Sequence, residues 1–94
     1  MIKKYLIKTE SGSFYEIYEN RNKLFILYRG RLCEIVGFAN MQVHPSQFRY
    51  MPPEEIKKSG YEILNKIERG RFVIFNNSKD KFGYTSEIKE IYKV

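Results

Sequence analysis

Only a few side chains in this sequence have the right type for catalysis or metal binding, and each stands apart from the partners such chemistry requires. Cys33 is the sole thiol and His44 the sole imidazole. Structural zinc needs four nitrogen or sulfur ligands, so one of each excludes such a centre within a single chain. Cys33 lies in an apolar stretch that reads as a strand, opposite Ile26, where a thiol packs as a small hydrophobe of the core. His44 precedes Pro45 in a loop-like segment, which suits a solvated or locally bonded ring. The carboxylate pairs have structural readings. Glu54 and Glu55 follow Pro52-Pro53 and oppose the positive end of a helix dipole, and Glu87 and Glu90 fall on a solvated face. The sequence therefore points away from an enzyme and implies no cofactor.

What remains is a pattern of cations set among aromatic rings. Lys23, Tyr28, Arg29 and Arg31 fall in the first half, Arg49 and Tyr50 near the middle, and Arg69 and Arg71 in the second half. Guanidinium groups bind phosphate and carboxylate in a fork, and aromatic faces stack on bases, so these eight residues are candidates for nucleic-acid or anion binding. Arg29-Gly30-Arg31 and Arg69-Gly70-Arg71 are two basic turns. If they met at one end of a fold, they would make a joint anion-binding patch. Arg69-Gly70-Arg71 has a single glycine and no lysine-serine ending, so it is no phosphate loop.

Charge agrees with such partners without selecting one. Seventeen Lys and Arg against eleven Asp and Glu give +6, of which +4 lies up to Tyr50 and +2 beyond it. The expected partner is nucleic acid or an acidic protein surface. Exposed tyrosines and arginines also suit the centre of a protein interface, and an unpaired sheet edge would permit a homodimer. No apolar run approaches the roughly 20 residues of a bilayer span, and no signal-like stretch follows Lys3-Lys4, so a cytoplasmic, membrane-free protein is expected.

The elements that must carry these residues are short strands. The chain of 94 residues has room for one core, with eight Tyr and seven Phe to fill it and no Trp, so residues 1–94 form one domain. Tyr5–Thr9 and Phe14–Tyr18 are rich in β-branched and aromatic residues, with Ser11-Gly12 between them as a turn. A two-residue loop there sets Leu6 opposite Ile17 and Tyr5 opposite Tyr18. Lys23–Tyr28 and Leu32–Phe38 pair through Arg29-Gly30-Arg31, with Leu24 opposite Ile35 and Ile26 opposite Cys33. Arg71–Phe75 reads as a strand, Asn76–Lys81 as a polar turn, and Phe82–Thr85 with Lys89–Val94 as the return to the sheet. Ala39–Tyr50 reads as a surface connection, Pro52 onward as a short helix ending at Gly60, and Tyr61–Ile67 fits strand slightly better than helix. The expected fold is mainly β, with α+β as the alternative: a small SH3-like or OB-like antiparallel barrel, or a meander, with one short helix.

Thr9-Glu10-Ser11-Gly12-Ser13-Phe14-Tyr15-Glu16-Ile17 and Tyr84-Thr85-Ser86-Glu87-Ile88-Lys89-Glu90-Ile91 resemble the ends of small β-rich proteins from phages and bacterial mobile elements. The likeness spans about a quarter of the chain. It implies a compact accessory protein that binds, and in the anti-defence case inhibits, a host protein. It carries no active-site residues to transfer, and Met41–Gly60 has no counterpart in it.

Overall fold

The computed structural model describes residues 2–40, 55, 62–78 and 81–94. Seven strands follow in chain order: β1 (Lys3–Thr9), β2 (Phe14–Asn20), β3 (Lys23–Tyr28), β4 (Arg31–Asn40), β5 (Arg71–Ser78), β6 (Lys81–Tyr84) and β7 (Ile88–Lys93). They form one antiparallel sheet in the order β6-β5-β4-β3-β2-β1-β7. The meander therefore runs unbroken from β1 to β6, and β7 returns to the far side of β1. The sheet coils until the start of β7 reaches the residue before β5, where Gly70 N–H donates to Ile88 O at 2.9 Å, while the bond from Thr85 N–H to Val73 O at 3.0 Å extends the β5–β6 ladder. The result is a barrel-like domain, mainly β as the alternating sequence pattern requires.

Turn chemistry sets the registers. Arg21-Asn22 and Arg29-Gly30 each have positive φ at both central residues, 52° and 65° in the first and 50° and 79° in the second. These are the two-residue turns whose twist matches that of the flanking strands. They place Ile17 opposite Ile26 and Ile26 opposite Cys33, so a row of apolar residues crosses three strands. The β1–β2 turn differs from the two-residue expectation. Gly12 N–H bonds to Thr9 O and Thr9 N–H to Ser13 O, while Gly12 sits at φ 86°. The loop is thus three residues closed by a left-handed glycine, which slips the register by one: Tyr5 faces Ile17 and Leu6 faces Glu16.

The main core gathers Ile7, Ile17, Ile26, Cys33, Ile35, Phe38, Val73, Phe75 and Ile88. Cys33 is buried opposite Ile26, as its apolar surroundings indicated. Strict alternation along β4 would turn Phe38 away from Ile35, but the register shift between Ile35 and Gly37 absorbs one residue and returns Phe38 to the core. β5 is buried on both faces: Val73 and Phe75 enter the main core, and Phe72 and Ile74 join Ala39 and Phe82 in a second cluster. Thr85 is buried at the end of the β5–β6 ladder, where its hydroxyl accepts from Val73 N–H at 3.0 Å and donates to Ser86 O at 2.8 Å.

The segment 62–68 crosses β4 with one isolated bridge, Leu64 to Phe38, in place of the expected strand. Gly37 makes room for that crossing: a Cβ there would run into Ile63 Cγ2 and lie 2.9 Å from Leu64 O. β5 also continues to Ser78, beyond the expected turn start at Asn76. The surface connection expected from Ala39 starts later, since Ala39 and Asn40 belong to β4 and Ala39 is buried. Its remainder from Met41, with His44, Arg49 and Tyr50, and the helix expected after Pro52 lie outside the described residues, apart from Glu55, whose backbone is helical.

Candidate nucleic-acid interface

The cationic candidates divide between two ends of the β4–β5 ladder. Arg31 begins β4, whereas Arg71 faces Asn40 at its finish. Nine steps of about 3.3 Å put roughly 30 Å of strand between the two Arg-Gly-Arg turns. They form no joint patch. The meander itself requires this, because consecutive antiparallel strands start at opposite ends.

At the Arg71 end the guanidinium is committed internally. Arg71 Nη1 donates to Lys66 O at 2.6 Å and Nη2 meets Glu68 Oε2 at 3.0 Å, with 16% of the side chain exposed. Arg71 therefore anchors the 66–68 segment to β5. Arg69 is exposed beside Ile67, Ile91 and Tyr92. Lys23, at the start of β3, lies 3.8 Å from Glu34 and at the opposite end of that strand from Tyr28.

Tyr28, Arg29 and Arg31 do come together. Arg29 occupies the first left-handed position of its turn, where asparagine or glycine is the low-energy residue. Its guanidinium lies 5.3 Å from the Tyr28 ring centre. Tyr28 is itself held on the core by Phe75 at 4.9 Å and flanked by Tyr15 at 6.3 Å, the two tyrosines being stacked within 26° of parallel. Arg31 Nη2 donates to both the carbonyl and the side-chain oxygen of Asn77, each at 3.0 Å. That fork positions Arg31 over the β5 end while leaving its charge unneutralised. Among the described residues, no carboxylate pairs with Arg29 or Arg31. Lys81 begins β6 opposite Ser78, next to Asn77. One residue before Tyr15, Phe14 is 55% exposed beneath the Lys8 ammonium. Asn77 carried no sequence signal, since a polar loop residue is unremarkable until the fold places it beside Arg31.

Other polar clusters are internally satisfied. On the outward face Glu16 accepts from Lys4 at 2.8 Å and from the Tyr18 hydroxyl at 2.7 Å. The Lys4 bond, then the Tyr18 bond, holds the Glu16 carboxyl below its ordinary range, and the same contact raises Lys4. Lys89 is raised by Glu87 and Glu10, and Tyr92 by its bond to Glu90. The hydroxyls of Thr9, Ser11, Ser13 and Ser86 bond to one another and tie the β1–β2 turn to the 85–87 crossing. None has a basic partner that would make it a nucleophile. Among the described residues no group of His, Cys, Asp or Glu is placed to hold a metal ion, and no helix is long and apolar enough to cross a membrane.

No family model, curated protein or solved structure matches this chain.

Proposed function

We propose that this protein is a small, non-catalytic binding module that associates with single-stranded nucleic acid through the end built from Tyr15, Tyr28, Arg29 and Arg31. The observation that carries the proposal is Arg29: it is held in a left-handed turn, stacked on Tyr28, beside Arg31, with no described carboxylate paired to either. Fixed guanidinium forks suit successive phosphates, and the exposed rims of Tyr15 and Phe14 offer surfaces for bases. The affinity expected of so small a patch is modest and dominated by charge. Two phosphate contacts on a single strand correspond to a log-log salt slope of about −1.4. Fluorescence anisotropy with a labelled oligonucleotide at low and moderate salt tests this. Binding that weakens with that slope supports the reading, and absence of binding at low salt, or binding indifferent to salt, ends it.

A further inference from the structure

Among the described residues the barrel closes along only part of its seam. Gly70 reaches Ile88, but beyond that point β7 has β1 as its only strand neighbour among the described residues. The backbone groups left open follow from ladder alternation. Val94 N–H donates to Lys4 O at 3.2 Å, which fixes the phase of the β1–β7 pairs, and Leu6 with Tyr92 and Lys8 with Glu90 continue it. Glu90, Tyr92 and Val94 therefore turn their peptide groups to β1. Ile91 and Lys93 turn theirs outward.

This open edge borders a groove of about 430 Å³ lined by Ile67, Glu68, Arg69, Glu90, Ile91 and Tyr92. Both carboxylates in it are already used: Glu68 holds Arg71 and lies 3.8 Å from Lys66, and Glu90 accepts from the Tyr92 hydroxyl. Arg69 and Lys93 pair with no described carboxylate. Among the described residues the groove thus presents outward main-chain donors and acceptors, an apolar strip and the uncompensated Arg69, with the uncompensated Lys93 two residues beyond Ile91 on the same strand.

We infer that the open β7 edge docks an extended segment of a partner protein that alternates acidic and apolar side chains. The segment adds as a strand, exchanging main-chain hydrogen bonds with Ile91 and Lys93; its carboxylates, all on the face that Lys93 shares with Ile91, meet Arg69 and Lys93, while its apolar side chains, on the other face, lie along Tyr92. A second copy of this chain fits less well. Pairing β7 with itself about Ile91 sets Lys89 opposite Lys93 on both sides of the two-fold, and like charges directly opposite one another destabilise a pair. The inference uses a different part of the molecule from the nucleic-acid interface and does not depend on it.

The test is an NMR titration of the whole labelled protein with a capped peptide of alternating valine and glutamate. Saturable shifts and slowed amide exchange at Ile91 and Lys93 are expected, with affinity about tenfold weaker in Arg69→Glu. Lys93→Pro removes an outward N–H without touching the β1 ladder, so it abolishes binding, whereas Lys93→Gln loses no more than about threefold. Melting curves confirm that each variant is folded. Absence of shifts at these amides, equal binding by Lys93→Pro and Lys93→Gln, or a concentration-dependent dimer through β7 overturns the inference.

Discussion

Arg29→Asn separates the binding role of Arg29 from its place in the fold. At φ 50° the residue occupies left-handed backbone, which costs an ordinary L-residue about 1–2 kcal/mol. Asparagine followed by Gly30 is the favoured pair for this turn and recovers much of that cost. The substitution gives up the stacking of the guanidinium on Tyr28, worth ~0.5–1 kcal/mol at an exposed site. The balance is a stability unchanged or raised by up to about 1 kcal/mol, so the melting midpoint holds or rises by as much as ~8 °C. Binding moves the other way. Removing one phosphate contact makes the single-strand salt slope shallower by about 0.7, so between 50 and 200 mM salt the wild type weakens by ~2.6-fold more than the variant. Denaturant melts and anisotropy titrations on the same preparation read both quantities. An unchanged affinity and slope would refute the phosphate role of Arg29. A loss of stability of about 1 kcal/mol or more would refute the account of the turn.

Further substitutions probe the scaffold. Gly37→Ala forces Ile63 off β4 and crowds the Leu64 carbonyl that bonds Phe38, so it should cost ~2–4 kcal/mol in chemical denaturation, and a cost below ~0.5 kcal/mol would contradict the crossing described for 62–68. Gly83→Ala drives a methyl into the Phe75 ring opposite it and should destabilise by ~1–3 kcal/mol, with Phe75→Leu relieving part of the loss in the double variant. Thr85→Val strands the buried Val73 N–H at the end of the β5–β6 ladder and should cost ~1–3 kcal/mol, together with faster amide exchange at Val73. Glu16 has a folded pKa below its ordinary 4.5, so its contribution is present above that value and is lost as pH falls through the lower folded one. Glu16→Gln should flatten the acid limb of the stability profile by slightly lowering the neutral plateau while leaving the most acid region unchanged, which acid titration followed by circular dichroism will show.

Local chemistry made part of this fold legible. The Arg29-Gly30 turn fixes the β3–β4 register, and the pairing of Ile26 with Cys33 follows from it. The β1–β2 register was not legible from the same kind of motif, because Gly12 closes a three-residue loop instead of supplying the second position of a two-residue one. Sequence does not say which, since both use a glycine at positive φ. Tyr61–Ile67 resisted assignment because its apolar residues cover a glycine on β4 and make one bridge, a role that imposes no period on them. The separation of the two arginine turns was not legible either: with Tyr61–Ile67 as a strand the meander would return Arg69-Gly70-Arg71 to the Arg29-Gly30-Arg31 end, and it is because 62–68 makes only one bridge that β5 follows β4 directly. Nor was the internal commitment of Arg71, because it depends on Lys66 O and Glu68 being folded back against the start of β5.

The central claim is that one end of the barrel, and not its basic charge at large, engages nucleic acid. Amide chemical shifts recorded while titrating an oligothymidylate of about ten nucleotides, within the site sizes small barrels cover, test it most directly. Perturbations concentrated at Tyr15, Tyr28 to Arg31 and Asn77 are the predicted result. Shifts confined to Arg69 and the β7 edge, shifts spread over every exposed lysine, or no shifts at low salt would contradict it.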